Sequence, residues 1–254
     1  MLTYISRNTR PDIENAVHQC ARFQLNPKKA HENAVTRIGR YLLGTRDKGI
    51  QFKPDITKLD NIECYVDADF AGNYTKEINY DPASCKSRTG CVIKYAGCPI
   101  HWFSRMQSEI SLSTTEAEYI ALSTAARELL PMRHLLSKIA SKMSIITKPP
   151  RIHCTLFEDN IGAEMLAKAP KMNPRTKHIA IKYHFFREAV KNKILKITRI
   201  DTKNQLADIF TKPTPLSTLE PLRKEIMGWL TMFKRDANKE AETHSIACNL
   251  ALIT

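Results

Sequence analysis

Long uncharged runs are missing: nowhere in the 254 residues do 18 apolar residues follow one another without a charge, so no segment qualifies as a membrane-spanning helix. The opening MLTYISRNTRPD holds no apolar core of signal-peptide length before Pro11 and the charges beside it. The expectation is a soluble, intracellular and cytoplasmic protein with no membrane partner. Glycine is sparse, at 8 residues, which excludes a collagen-like repeat, and a 43% hydrophobic content excludes disorder throughout. Cysteines number seven, an odd count with no C-x-x-C, so a disulfide framework is not expected. Cys85, Cys91, Cys98 and His101 match no usual zinc-finger spacing, and these thiols read as small buried hydrophobes.

Acids are also in short supply. Against 26 Asp and Glu stand 39 Lys and Arg, a net charge of +13, more than solubility asks for. The excess is concentrated: between Lys171 and Arg199 nine basic residues face a single acid, Glu188. Such a stripe is the footprint of a surface that neutralises phosphates, and a polyanion is the expected partner.

Hydrophobic period supplies the elements. Residues 11–43 read as two helices: Pro11 in a first turn with Asp12 and Glu14, then a second start at Asn26-Pro27, a stripe of Ala30, Ala34, Ile38 and Leu42, and a stop at Gly44. Two helices cannot form a core alone, so this segment must dock. From Ile62 the period becomes two, and strands are expected there, at Thr89–Tyr95 and at Pro99–Ser104, with Ala96-Gly97 as a turn. Ser113 to Lys138 reads as a long helix kinked or divided at Pro131. A strand from Arg151 to Phe157, a short helix, a basic helix from His178 to Lys193, a strand from Ile194 to Ile200 and a helix opened by Asn204 complete the chain. From Leu230 no pattern is evident. This order predicts an α/β fold with a mixed sheet.

Four acids fall where such a fold gathers strand ends: Asp67 after the first strand, Asp159 after the fourth, Glu116 in the long helix and Asp208 in the last. Carboxylates gathered in one cleft repel and call for divalent cations. Each acid also has a plainer reading. Asp159-Asn160 could cap a helix, Asp208 could complement a helix dipole, and Ser113 with Glu116, or Thr115 with Glu118, could form a capping box. Glu116 and Glu118 stand about 200° apart on a helix, so only one can face the sheet. The pattern alone leaves that choice open. YVDAD at 65–69 is not a polymerase Tyr-x-Asp-Asp turn, since Ala68 separates the aspartates.

The segments YVDADFAG (65–72), KSRTG (86–90), LSTTEAEYIAL (112–122), EDNIGA (158–163), RTKHIAIKYHFFRE (175–188) and NQLADIFTKP (204–213) together resemble the ribonuclease H end of copia-type LTR retrotransposon polyproteins. The resemblance runs from Thr9 to Gly228. It implies a ribonuclease H-like fold with a mixed five-stranded sheet and flanking helices (56–228), preceded by a helical remnant of the reverse transcriptase thumb (1–55) and followed by a tail (229–254). It also implies a metal-dependent endonuclease that cuts the RNA strand of an RNA–DNA hybrid. The catalytic and metal-holding acids carried over are Asp67, Glu116, Asp159 and Asp208, with Glu116 chosen over Glu118 by resemblance alone. Two Mg2+ ions are implied, with Mn2+ able to substitute. Nucleic-acid contacts are expected from Lys86, Arg88, Arg175, Lys177, Lys182 and Arg187. His178 and His184 are read as packing or phosphate contacts. The polymerase part of a parent polyprotein is an expected partner, with a virus-like particle or the nucleus as other locations. The family's finger and palm motifs are missing, so no polymerase activity is expected from this chain alone. No histidine stands near Thr202, where many ribonucleases H carry one. The rival expectation is a catalytically silent nucleic-acid-binding fragment; an integrase of the same fold is disfavoured by Asp208.

Affinity for an RNA–DNA hybrid is expected to fall steeply with salt, and replacing Lys182 and Arg187 by Ala to flatten the log–log slope by about one unit for each phosphate no longer neutralised. Filter binding between 50 and 300 mM salt, on the order of the range where such slopes are read, checks this, and an unchanged slope places the footprint elsewhere.

Overall fold

The computed structural model describes residues 1–75, 82–143, 152–169, 179 and 183–229. Three helices lead, α1 (Leu2–Asn8), α2 (Glu14–Ala21) and α3 (Lys29–Gly44), of which α1 was not expected. Five strands follow, β1 (Asn61–Asp69), β2 (Arg88–Tyr95), β3 (Cys98–Met106), β4 (His153–Glu158) and β5 (Leu195–Arg199), in spatial order 3-2-1-4-5. The pairs β1–β2 and β2–β3 are antiparallel, while β1–β4 and β4–β5 are parallel. Helix α4 (Thr114–Lys142) joins the antiparallel strands to the parallel ones, α5 (Ile161–Lys168) and α6 (Phe186–Lys191) lie between β4 and β5, and α7 (Asp208–Thr211) and α8 (Leu216–Met227) follow β5. This is the ribonuclease H-like α/β architecture expected, a mixed five-stranded sheet with flanking helices.

Alternation along the strands separates two apolar layers. Cys64 and Val66 of β1, Cys91 and Ile93 of β2, and Phe103 of β3 meet Ala117, Ala121 and Ala125 of α4, where small side chains let the helix lie close to the sheet. Val92 and Trp102, one residue out of step, point into the opposite layer with Phe210, Leu222 and Ile226. The leading helices add a third cluster, Ile13, Val17, Ile38 and Tyr41, packed on Leu216 and Leu219 of α8. The indole N–H of Trp102 donates to the Ser6 carbonyl at 2.7 Å, and Tyr41 links Asp12 to Arg223. The N-terminal helices therefore dock on this chain's own sheet layer.

Three expectations need correction. Of the kink or division expected at Pro131 the division does not occur, since α4 runs through as one helix. Pro131 and Arg127 are both exposed, so water can serve the carbonyl that the proline leaves without a donor. Asn204 does not open the last helix: it ends a one-turn 3-10 segment capped by Asp201, and regular helix resumes at Asp208. The basic helix is seen as Phe186–Lys191, and the part before residue 183, apart from residue 179, lies outside the described residues. So do residues 230–254 of the expected tail.

One glycine decides where α7 sits. Gly90, paired with Asp67 across the β1–β2 ladder, would with a Cβ come within 2.7 Å of the Phe210 Cβ and 2.9 Å of the Ala207 carbonyl oxygen. The Ser104 hydroxyl holds the Phe210 carbonyl from below at 2.5 Å, and Gln205, fully buried, donates to the Val66 carbonyl at 2.9 Å. Gly90→Ala is expected to cost about 1–3 kcal/mol through overpacking, read as a fall in Tm of roughly 2–10 °C by calorimetry. An unchanged Tm would show that α7 is not seated on the β2 backbone.

Candidate active site

The parallel β1–β4 register pairs Tyr65 with Phe157, whose rings stack at 4.6 Å. Two residues further along each chain stand Asp67 and Asp159, brought level at the strands' carboxyl ends. Glu118 reaches the same point from the second turn of α4. One carboxylate oxygen from each of Asp67, Glu118 and Asp159 lies within 4.8 Å of the others. Asp208 joins from α7 through Lys212, whose Nζ lies 2.9 Å from Asp208 Oδ1 and 3.6 Å from Asp67 Oδ1. The Thr211 hydroxyl donates to Asp67 Oδ2, and the Thr202 hydroxyl to Asp159 Oδ2 at 2.7 Å.

The helix start explains why Glu118, and not Glu116, belongs to this cluster. Ser113 caps α4 by accepting the Glu116 N–H at 3.1 Å, and Glu116 Oε2 reaches back to accept the Leu112 N–H at 2.8 Å. Glu116 is thereby committed to the helix terminus, in the manner of a capping box. Glu118, about 200° further round, turns to the acids and is only 4% exposed. Its Oε2 atom is buried with no hydrogen-bond partner among the described residues. The sequence offers two capping boxes, S-x-x-E at 113–116 and T-x-x-E at 115–118, and the fold uses the first.

Burial dominates the electrostatics. The Glu118 carboxyl is held well above the usual range by desolvation, then by Glu158, Asp67 and Asp159, with Lys212 opposing. Asp67 is raised mainly by burial, against the pull of Lys212 and the Thr211 bond. Asp208 is pushed up to about 7 by burial and by Asp67, with Lys212 again opposing. Glu158, fully buried beside Asp159, is raised well above the carboxylate range by burial, and Asp69 is raised by burial and by Asp67. Neither Glu158 nor Asp69 was expected from sequence, nor was Lys212. A set of hard oxygen donors, three of which (Glu118 Oε2, Glu158 Oε2 and Asp208 Oδ1) are buried without a hydrogen bond among the described residues, fits a small divalent cation.

The expected nucleic-acid contacts divide. Lys86 is half-buried in the turn before β2. Arg88 is completely buried, its Nη1 2.9 Å from His18 Nδ1 and donating to Ser104 Oγ at 2.9 Å, so it is a structural residue under α2 and not a surface contact. Both faces of β2 are covered at this end, so either side of the strand would bury it, which no charge count reveals. Arg187 donates to the Ala169 carbonyl. Arg175, Lys177, His178 and Lys182 lie outside the described residues. Lys191 at the end of α6, Lys193 in the loop after it, and Lys196 and Arg199 on the edge strand β5 are exposed. His184 Nδ1 pairs with the Tyr119 hydroxyl at 2.7 Å, a packing role.

No protein-family model matches the chain. It is similar to the retrovirus-related Pol polyprotein from transposon RE1 of Arabidopsis thaliana, 35% identical over 218 residues, covering 86% of this chain and 14% of that protein. It is similar also to that from transposon TNT 1-94 of Nicotiana tabacum, 36% identical over 227 residues, covering 89% of this chain and 16% of that protein. The chain thus spans about one-seventh of the length of these relatives. Among solved structures it is similar to LC11-RNase H1, isolated from compost, at 20% identity and a TM-score of 0.38, covering 60% of this chain and 93% of that one.

Because the folded Asp208 carboxyl titrates near 7 against an ordinary 3.8, its contribution to stability is present below the lower value and lost as pH rises through the upper one. Without divalent ions, Asp208→Asn is therefore expected to match the parent's Tm at pH 4, on the order of the unfolded value, and to exceed it increasingly toward pH 8. Thermal melts in a chelating buffer series test this; a variant that lies below the parent at alkaline pH would refute it.

Proposed function

From a chain that belongs, as one segment, to the Pol polyproteins of copia-type retrotransposons, we propose a metal-dependent ribonuclease H that cuts the RNA strand of RNA–DNA hybrids formed in reverse transcription. The observation that carries this is the meeting of Asp67, Glu118 and Asp159 within 4.8 Å, with Asp208 tied in through Lys212. Asp67, Glu118 and Asp159 would hold one Mg2+ and Asp67 with Asp208 a second, Mn2+ being a substitute. When bound, such ions supply positive charge for activating water and for stabilising the leaving 3′ oxygen.

The chain's own groups set the rest. Asp67 stands centrally because β1 is the middle strand of the sheet, flanked by β2 and β4. The Thr211 and Thr202 hydroxyls orient Asp67 and Asp159. The buried Gln205 bond to Val66 keeps the Asp208 turn against β1. Exposed Lys191, Lys193, Lys196 and Arg199 offer phosphate contacts beside the parallel strands. Selection of the RNA strand would come from 2′-hydroxyl contacts across the shallow minor groove.

The deciding experiment uses the purified chain with Mg2+ and end-labelled RNA–DNA hybrid, beside duplex DNA and duplex RNA. Cleavage confined to the RNA of the hybrid, leaving 5′-phosphate and 3′-hydroxyl ends, is expected. Glu118→Gln is expected to lower the rate by orders of magnitude, on the scale of losing charge at a metal centre. Glu116→Gln, whose amide still caps the helix, is expected to cut at near the parent rate. The opposite pattern would return the site to Glu116, and no metal-dependent cleavage by the parent would leave a silent nucleic-acid-binding fragment.

A further inference from the structure

The two halves of the acidic cleft are not equivalent. Among the described residues no ion pair reaches Glu118 or Asp159, while each half holds a buried oxygen without a hydrogen bond, Glu118 Oε2 and Asp208 Oδ1. The Asp208 half already has a cation. Lys212 lies immediately after the single turn of α7, its N–H donating to the Asp208 carbonyl at 3.2 Å and its ammonium 2.9 Å from the Asp208 carboxylate. The same ammonium is 3.6 Å from Asp67 Oδ1, while Asp67 Oδ2 accepts the Thr211 hydroxyl. Both oxygens of Asp67 are thus engaged from one turn of helix. The two carboxylates are 3% and 6% exposed in their side chains, whereas that of Lys212 is 35% exposed and opens to solvent.

A divalent cation bridging Asp67 and Asp208 must take up oxygens that the ammonium already holds, and at this separation two positive charges repel strongly in a partly desolvated cleft. At Asp67, Glu118 and Asp159 the ammonium pairs with Asp67 alone and acts on the other two carboxylates only at longer range. We propose that Lys212 is a built-in counter-ion that guards the Asp67–Asp208 half of the cleft, so that one divalent ion loads first at Asp67, Glu118 and Asp159 and another enters only when the ammonium swings out. Its flexible stem and solvent-facing side permit that exchange, and the displaced ammonium is then available to a phosphate oxygen of the bound strand. Lys212 is in this sense a positioning residue that sets the order and number of ions. The inference rests on the nuclease reading.

The test is calorimetric titration of the whole chain with Mn2+ at about pH 8, well above the ordinary carboxylate range, in parent, Lys212→Gln and Lys212→Arg. The parent is expected to show one tighter and one much weaker event. In Lys212→Gln the weaker event is expected to tighten roughly tenfold or more, while Lys212→Arg, which keeps the charge, stays close to the parent. Should Lys212→Gln be unfolded without ions, its recovery of native circular dichroism on adding Mn2+ is the expected result, and failure to recover overturns the proposal. Equal affinities for both ions in the parent, or an unchanged second event in Lys212→Gln, also overturn it. If the parent cleaves hybrid while the second event is unchanged, only the role of Lys212 falls. If the parent neither cleaves hybrid nor binds Mn2+, the nuclease reading falls and takes this inference with it.

Discussion

Repulsion among carboxylates packed away from water is the constraint on which the rest of this structure depends. Asp67, Glu118, Glu158 and Asp208 are all nearly or fully buried, and Asp159 is close by. An arrangement of that kind is unfavourable for folding unless something holds it, because each acid is both desolvated and surrounded by its own charge. The scaffold supplies the holding. Two parallel strands fix Asp67 level with Asp159, a close helix–sheet contact at Ala117 and Ala121 fixes Glu118, and the glycine at position 90 allows α7 to lie against β2 with Asp208 and Lys212 in place.

Stability and function pull in opposite directions at this point. The apolar layers on either side of the sheet, and the third cluster contributed by α1, α2 and α3, stabilise the fold well away from the acids. A rigid, well-packed surround is what lets a cleft hold like charges without local collapse. The N-terminal helices take part in that surround. Their contact with Trp102, Arg88 and α8 completes the layer behind α7, and they bring no acid to the cleft.

The basic surface is a separate device. The exposed lysines and arginine of α6, the loop after it and β5 lie at the edge of the parallel strands, whereas the buried Arg88 contributes to the fold. Charge alone does not distinguish the two. A guanidinium whose strand position faces inward must find partners within the protein, here His18 and Ser104.

The amino-acid sequence determined the order of elements, the mixed α/β class, three of the four acids that gather in the cleft and the resemblance to copia-type polyproteins, because hydrophobic period and strand-end aspartates are local signals. It left Glu116 and Glu118 undecided in pattern, since both fall on the first turns of one helix. Tertiary structure decided that case: the Ser113 cap engages Glu116, and the residue about 200° further round meets Asp67. It alone revealed Lys212, Glu158 and the burial of Arg88. Each of these depends on which side of an element faces a neighbour far away in the chain, and that is set by packing between layers, not by any property of the local sequence.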